Sequence, residues 1–320
     1  MAPPSLSPSR ASDFERCPLL FRFRTIDKLP EPPSAAALRG RLVHLVLERL
    51  FDLPASQRQP PAAHDLLPEA LATLKSDEPR LDDLFTTEQE HQAWVAGAHD
   101  LIESYFYLED PSSIEPEARE TWVRVQLDNG LTLRGIVDRL DVAAGSGALR
   151  LVDYKTGKSP APRFHGEMLF QLRFYSLILW RSRHQIPAVV QLLYLGNRDI
   201  VRQSPTEADL ERTELKVLTL WDSIVQMAQR REFPPVRSPL CGWCSFQTQC
   251  RLFGGVPPAW PEDAGTRLGL PPSPAAPALE PWTIPLNDLH LYPWLRPAAT
   301  PKPPNRPQNQ PRFGRTPESG

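Results

Sequence analysis

The sequence has little net charge and no long apolar run, and each absence excludes a class of protein. The formal net charge of −2 argues against a protein that coats nucleic acid through bulk positive charge, although a local basic groove would be compatible with it. No stretch approaches the roughly 20 apolar residues that a membrane span requires. Residues 1–17 contain no apolar segment typical of a secretory signal. We therefore expect a cytoplasmic protein without membrane contact.

Cysteine is also scarce, and its four positions are unevenly spaced: Cys17, Cys241, Cys244 and Cys250. In a reducing compartment, such a set favours metal ligation over disulfides. Four thiolates suit either tetrahedral zinc or an iron–sulfur cluster. A zinc ribbon normally has two Cys-x2-Cys pairs, so the layout of three cysteines plus a distant fourth favours the cluster, with zinc as the alternative.

Proline is abundant, with 38 residues, many of them after Gly255. This composition predicts a folded domain at 1–255 and a Pro-rich, mostly disordered tail at 256–320. Ser7 followed by Pro8 predicts the start of a helix that runs toward Cys17. Apolar periodicity predicts further helices at 35–51, 166–183 and 206–231, and a linker at 54–68 within a helical insertion that ends near residue 110.

The hydrophobic period changes to that of strands near residue 120. Asp128, Asn129 and Gly130 predict a hairpin turn, because Asn and Gly tolerate positive φ. Strands are predicted at 122–127, 131–142 and 148–154, which together form a three-stranded meander, and another strand is predicted at 188–195.

Two acidic residues and one lysine lie on this meander. Asp153 and Lys155 are two residues apart and share a face of their strand, and the hairpin can bring Asp138 close to Asp153. Clustered carboxylates repel one another unless a cation joins them, and hard divalent cations prefer oxygen ligands. Such a metal can activate water and stabilise charge on a phosphoryl oxygen, with Lys155 orienting that water. The alternative is that all three are solvated strand residues.

Three side chains on helices complete the candidate set. His44 lies on the helix at 35–51, and Gln171 and Tyr175 are one turn apart on the helix at 166–183. Gln171 could hold a phosphate or a water, and Tyr175 could contact a base. The alternative is that His44 is an ordinary helix residue and that Tyr175 belongs to the core.

Four motifs together resemble RecB-like PD-(D/E)xK nucleases: GxxxH at 40–44, GIVDR at 135–139, DYKTGK at 153–158 and QxxxY at 171–175. That group includes AddB-type nuclease domains and CRISPR-associated adaptation nucleases, and the similarity covers residues 5–254. The resemblance implies an α/β fold with a restriction-endonuclease-like core, in which a mixed β-sheet is flanked by helices. It also implies an iron–sulfur clamp that joins the two ends of this domain.

The resemblance also implies a role for each residue. His44, Asp138 and Asp153, with the carbonyl of Tyr154, would bind Mg²⁺ or Mn²⁺. Lys155 would be the catalytic lysine, and Gln171 and Tyr175 would complete the site. The four cysteines would hold a 4Fe–4S cluster, as they do in members that share this cysteine layout.

The implied function is hydrolysis of phosphodiester bonds in DNA, as an exonuclease that acts on ends and prefers single strands, in DNA repair, recombination or defence. Because there is no helicase motif, a helicase or repair partner would have to unwind duplex DNA. The alternatives are a non-cleaving DNA-binding module and a zinc-stabilised interaction module. The candidates for DNA contact are the arginines around the helix at 166–183: Arg163, Arg173, Arg181 and Arg183.

Overall fold

The computed structural model describes residues 3–270, apart from the side chains of residues 164–167. A mixed six-stranded sheet lies between two layers of helices. The strands are β1 Ser5–Leu6, β2 Pro116–Gln126, β3 Thr132–Val142, β4 Leu149–Lys155, β5 Val189–Tyr194 and β6 Asp199–Gln203. The helices are α1 Pro8–Arg16, α2 Pro18–Phe21, α3 Ala35–Leu50, α4 Pro60–Asp77, α5 Glu88–Leu108, α6 His165–Arg183, α7 Glu207–Arg230 and α8 Ala264–Leu268. None of these helices is long and apolar enough to cross a membrane.

The sheet order is β1-β3-β4-β5-β6, with β2 paired to β3. Strands β2, β3 and β4 form the predicted antiparallel meander, and α6 connects β4 to the parallel strand β5. On β3, β4 pairs only with residues 139–142 and β1 only with residues 132–133. The other edge of β3 pairs with β2. Residues 134–138 of β3 lie between the β1 and β4 pairings, and we call this gap, which includes Asp138, the division in the sheet.

The central strands are buried on both faces, as expected for a sheet covered by two helical layers. On β4, Leu149 and Leu151 join the core under α1, α6 and α7. Their neighbours Val152 and Tyr154 join a second core under α3, α4 and α5. The alternation along this strand therefore presents consecutive side chains to different helical layers.

Local sequence signals place several elements correctly. Ser7 caps α1 by accepting a hydrogen bond from the Arg10 backbone N–H, and Pro8 is the first helical residue. Gly130 has a φ of 85° in the turn between β2 and β3, a conformation that favours glycine. The linker predicted at 54–68 is wrong, because α4 begins at Pro60; proline fits the first turn of a helix, where its missing N–H costs nothing.

Residues 256–270 do not behave as the predicted tail but pack on the domain. The ring of Trp260 stacks on Phe233 with centroids 5.8 Å apart, and Ala264 and Leu268 are buried. These apolar contacts extend the folded unit to residue 270. The rest of the predicted tail, 271–320, lies outside the described residues.

A buried cation lies beneath the end of the meander. The Arg139 side chain is fully buried and lies 2.7 Å from Glu109 and 3.0 Å from Asp141. Its Nη1 donates hydrogen bonds to the hydroxyls of Tyr154, at 2.7 Å, and Tyr105, at 3.2 Å. A buried charge is tolerated when it is paired and its donors are satisfied, so this network fixes the Tyr154 side chain on the α5 side of the sheet.

Replacing Arg139 with Met should lower the free energy of unfolding by about 3–5 kcal/mol, because Glu109 and Asp141 would lose the cation between them. Urea unfolding followed by circular dichroism measures this change. Arg150→Met is the matched control, since Arg150 contacts the same two carboxylates but its side chain is 32% exposed. We expect the control to lose clearly less stability, and equal losses would contradict the role given to Arg139.

Candidate functional site

The predicted acidic residues meet where β4 separates from β3. Asp138 lies one step beyond the last pair of these strands, which joins Arg139 and Val152. Its Oδ2 accepts a hydrogen bond of 2.8 Å from the Tyr154 backbone N–H. This hydrogen bond holds Asp138 beside the backbone of the Asp-Tyr-Lys segment, as the hairpin argument predicted.

His44 approaches the same point from α3. Its Nε2 lies 3.1 Å from the carbonyl oxygen of Tyr154, and its Nδ1 lies 3.4 Å from Glu120 and 3.6 Å from Asp138. A Cβ at Gly40, one turn earlier, would lie 3.2 Å from Thr156 Oγ1. Glycine at this position therefore allows α3 to lie close to the end of β4, which brings His44 into the site.

Glu120 is a site residue that the sequence analysis missed. It lies opposite Asp138 on β2, between the pairs Arg119–Arg139 and Thr121–Val137. Its φ of 39° is in the left-handed region, which costs a non-glycine residue about 1–3 kcal/mol and is concentrated at functional sites. A glutamate at the point where the strand period begins was the only available signal, and it does not reveal this backbone conformation.

The acidic groups alter the protonation of one another. Burial and the charge of Asp153 raise the pKa of Asp138 to about 7, against the opposing effects of His44 and the Tyr154 N–H. Burial disfavours the charged form of His44, but the hydrogen bond to Glu120 and the charges of Asp138 and Asp153 outweigh it and raise the pKa of His44 to about 9. In the metal-free protein, a proton on His44 thus partly neutralises the carboxylates.

On the other side of the site, Gln171 joins Asp153 to Lys155. Its amide nitrogen donates to Asp153 Oδ1 at 2.8 Å, and its amide oxygen accepts from Lys155 Nζ at 3.0 Å. Lys155 Nζ also lies 2.6 Å from Asp153 Oδ2. Burial opposes the charged ammonium, but the charge of Asp153 outweighs it and raises the pKa of Lys155. The predicted shared face of Asp153 and Lys155 is confirmed.

Tyr175 is positioned by a close contact with β3. Gln171 donates a hydrogen bond to its hydroxyl at 3.3 Å. A Cβ at Gly135 would lie 2.4 Å from a Tyr175 ring carbon, which no real structure tolerates without a shift. Glycine in the GIVDR segment therefore makes room for the Tyr175 ring. Tyr175 is 6% exposed, so it is part of the core as well as of the site.

Several atoms of the site suit a hard cation. Ligand atoms of His44, Glu120 and Asp138 all lie within 4.8 Å of one another. Asp153 Oδ2 is buried, with the Lys155 ammonium 2.6 Å away. Carboxylate oxygens are ligands that Mg²⁺ and related ions prefer. The site can therefore accept a divalent metal.

The seven residues selected from the sequence thus come together: His44, Asp138, Asp153, Tyr154, Lys155, Gln171 and Tyr175. They are supplied by α3, β3, β4 and α6, which are distant in the chain. The two layers of helices bring them to the division in the sheet.

The four cysteines meet at a second place, where α1 ends. Cys17 Sγ accepts a hydrogen bond from the Val236 N–H at 3.4 Å, which ties it to the segment that leads to Cys241. Cys250 is buried, and burial together with the charges of the other three thiols raises its pKa. Phe23 and Phe246 contact each other beside them, with ring centroids 5.4 Å apart. Four sulfur atoms thus share a largely apolar environment.

Three of the arginines proposed to contact DNA are engaged elsewhere. Arg181 pairs with Glu214, and Arg183 pairs with Glu117 at 2.8 Å. Arg173 donates a hydrogen bond of 2.9 Å to the Gln203 side chain. The ion pairs reduce the positive charge that α6 presents to a nucleic acid.

Comparison with known proteins gives distant relatives of similar length. The chain is 23% identical over 291 residues to the Gene 69 protein of Mycobacterium phage L5, an alignment that covers 78% of this chain and 97% of the phage protein. The Gene 69 protein of Mycobacterium phage D29 is 23% identical over 281 residues, with the same coverage of both chains. The crystal structure of a "putative exonuclease" from Eubacterium rectale has a TM-score of 0.48 and 17% identity, covering 75% of this chain and 86% of that one.

A family model gives the assignment. The model of the PD-(D/E)XK nuclease superfamily matches residues 5–251, which are more than half of the chain. The match begins before α1 and ends after Cys250, so it contains both the acidic site and all four cysteines. The chain therefore belongs to the PD-(D/E)XK nuclease superfamily.

Proposed function

We propose that this nuclease is a metal-dependent deoxyribonuclease that cuts DNA from its ends and prefers single strands, in DNA repair, recombination or defence. The observation that carries the proposal is the convergence of Asp138, Asp153 and Lys155 at the division in the sheet. The preference for ends and single strands rests on the resemblance of the four motifs to RecB-like nucleases. A partner helicase would supply single strands from duplex DNA.

We assign the divalent metal to His44 Nε2, the Tyr154 carbonyl, Asp138 and Asp153. His44 Nε2 lies 3.1 Å from the Tyr154 carbonyl oxygen, so both atoms would be available to the same ion, and oxygen ligands are those that Mg²⁺ prefers. When bound, Mg²⁺ or Mn²⁺ lowers the pKa of a water and stabilises charge on a phosphoryl oxygen. Glu120 then faces His44 Nδ1 and orients the imidazole, as carboxylates beside metal-bound histidines do.

The remaining residues act around the scissile phosphate. Lys155 presents its ammonium beside Asp153 and would stabilise negative charge that develops on the phosphate. Gln171 holds the carboxylate and the ammonium in fixed positions, since it bonds to both. The Tyr175 hydroxyl accepts a hydrogen bond from the Gln171 amide, and Tyr175 would border the DNA strand.

We also propose that the four cysteines hold a 4Fe–4S cluster with a structural role. The layout of three close cysteines and the distant Cys17 suits a cluster, in which each cysteine binds a different iron, better than a zinc ribbon, which normally has two Cys-x2-Cys pairs. The Val236 and Ser238 N–H groups donate to Cys17 and Cys241 and would stabilise the charged sulfur ligands.

Asp138→Asn, Asp153→Asn or Lys155→Met should each reduce cleavage by at least about 100-fold while DNA binding survives, because each removes a group that stabilises transition-state charge. Gel assays on end-labelled single- and double-stranded DNA with Mg²⁺ or Mn²⁺ measure this. Lys158→Met is the matched control, since Lys158 is exposed and has no hydrogen bond or ion pair with the side chains that the structure describes. Normal turnover in any one variant would remove that residue from the mechanism, and activity in excess EDTA would remove the metal.

Metal affinity should rise with pH. Below about pH 9 His44 carries a proton that an incoming metal must displace, because a histidine ligand must be neutral. The logarithm of the association constant for Mn²⁺ should therefore increase by about one for each pH unit between about 7 and 9 and then level off. Isothermal titration calorimetry measures it, and His44→Asn should bind more weakly with a flatter pH dependence. An unchanged slope in His44→Asn would assign the proton to another group.

Protein purified without oxygen should be brown and contain about four irons and four sulfides per chain. Cys17→Ser should lose the iron and much of the stability, because metal-binding free energy contributes to folding. Ser7→Ala is the matched control: it removes the cap of the same helix without touching a sulfur ligand and should keep its iron. A colourless protein with one zinc and no iron would replace the cluster with the zinc alternative.

A further inference from the structure

The outer half of the β2–β3 hairpin presents an unusual exposed face. On β3, Arg134 and Ile136 alternate with the buried residues Leu133, Gly135 and Val137. On β2, Trp122 and Arg124 are exposed on either side of the buried residue Val123. Trp122 is 65% exposed and Ile136 is 37% exposed. Side chains two residues apart share a face, so we call Trp122, Arg124, Arg134 and Ile136 the hairpin face.

The register of the hairpin orders these residues into two rows. Trp122 lies opposite Ile136, and this pair is the aromatic row. Arg124 lies opposite Arg134, and this pair is the cationic row. Two residues further from the hairpin turn, in the direction of the acidic site, are Glu120 on β2 and Asp138 on β3. Two residues of a strand span about 6.6 Å, so the hairpin face begins one step from the carboxylates. A chain that leaves the acidic site along the hairpin meets the aromatic row first and the cationic row second.

The stability of the folded sheet does not account for the two arginines of the cationic row. Arg124 and Arg134 are directly opposite each other, and like charges in that relation destabilise a sheet. Among the described side chains, which do not include those of residues 164–167, neither guanidinium has an acidic partner at ion-pair distance. Burial and the charge of Arg134 lower the pKa of Arg10. These charges contrast with Arg181 and Arg183 on α6, which are neutralised by glutamates.

The combination of rows matches one class of ligand. Unpaired cations attract phosphates, and this attraction falls with salt. An exposed indole ring can stack on a base, but only on one whose face is not already covered in a duplex. Together the two rows suit a polyanion that carries accessible planar rings.

We propose that the hairpin face binds the single-stranded segment of DNA that extends from the carboxylate site, with one base stacked on Trp122 and phosphates held by Arg124 and Arg134. This assignment rests on the proposed nuclease function and adds the path of the strand to it. It also places the DNA contact on the hairpin and not on α6.

The test measures binding of the full chain to a fluorescein-labelled 20-nucleotide oligothymidine by fluorescence anisotropy, with EDTA present to prevent cleavage. Trp122→Leu removes the ring but keeps an apolar side chain opposite Ile136, and the double variant Arg124→Gln/Arg134→Gln removes the two cations. Tyr107→Ala is the control for the aromatic residue, since Tyr107 is 68% exposed and lies on α5. Lys75→Gln/Arg80→Gln removes the same charge from the α4–α5 region and is the control for the arginines.

Trp122→Leu should weaken binding of the single strand by about 5- to 100-fold, with little effect on a 20-base-pair duplex, because stacking needs an uncovered base. The double arginine variant should lower the slope of log affinity against log salt by about 1.4, as expected for two lost phosphate contacts on a single strand. Both controls should bind within about twofold of the wild type and keep its salt slope, as exposed residues outside the contact do.

Three results would separate this proposal from the proposed function. If the hairpin variants bind and cut like the wild type, the hairpin face is not the DNA path, although the nuclease stands. If Trp122→Leu weakens single-stranded and duplex DNA equally, the assignment to an unpaired strand is overturned. If the variants lose binding as expected but the wild type never cuts DNA with Mg²⁺ or Mn²⁺, the binding surface stands and the nuclease function fails.

Discussion

The repulsion between Asp138 and Asp153 is the constraint on which the rest of the site depends. Both carboxylates are largely buried at the division in the sheet, and burial makes an unbalanced charge costly. The protein surrounds them with opposing groups: His44 and the Tyr154 N–H on the Asp138 side, and Lys155 and Gln171 on the Asp153 side. These groups reduce the repulsion, and the clustered oxygen ligands that remain are of the kind that a divalent cation prefers.

The Asp-Tyr-Lys segment separates chemistry from support. Asp153 and Lys155 face α6, while the Tyr154 side chain points the other way to Arg139. Because Arg139 is held in turn by Glu109 and Asp141, Tyr154 is anchored from the face opposite Asp153 and Lys155. Its N–H and carbonyl then contact Asp138 and His44. A buried ion network that bonds only to the Tyr154 hydroxyl therefore helps to fix two polar groups of the site.

The cysteines make a second long-range connection. Cys17 and Cys241 are separated by almost the whole domain, and joining such distant segments has an entropic cost that metal binding would offset. Residues 256–270 contribute to the same connection, since Arg22 donates a hydrogen bond of 2.5 Å to the Pro258 carbonyl. The N-terminal segment is thus held to the end of the domain by polar and apolar contacts as well as by the cysteine segment.

Much of the site could be predicted from the sequence because it depends on local rules. Alternation along β4 put Asp153 and Lys155 on one side, Asn129 and Gly130 set the hairpin, and Ser7 and Pro8 began α1. The order of four motifs gave the family. Each of these inferences needs only residues that are near one another in the chain or a pattern that relatives share.

Only the tertiary structure decided which side chains satisfy one another. Glu120 enters the site through a left-handed backbone that no propensity would assign to a glutamate. Arg181 and Arg183 looked like DNA contacts until folding brought Glu214 and Glu117 beside them, whereas Arg124 and Arg134 were left facing each other. These outcomes depend on charges that meet across elements distant in the chain, and the distances between such charges exist only once the helical layers have closed on the sheet.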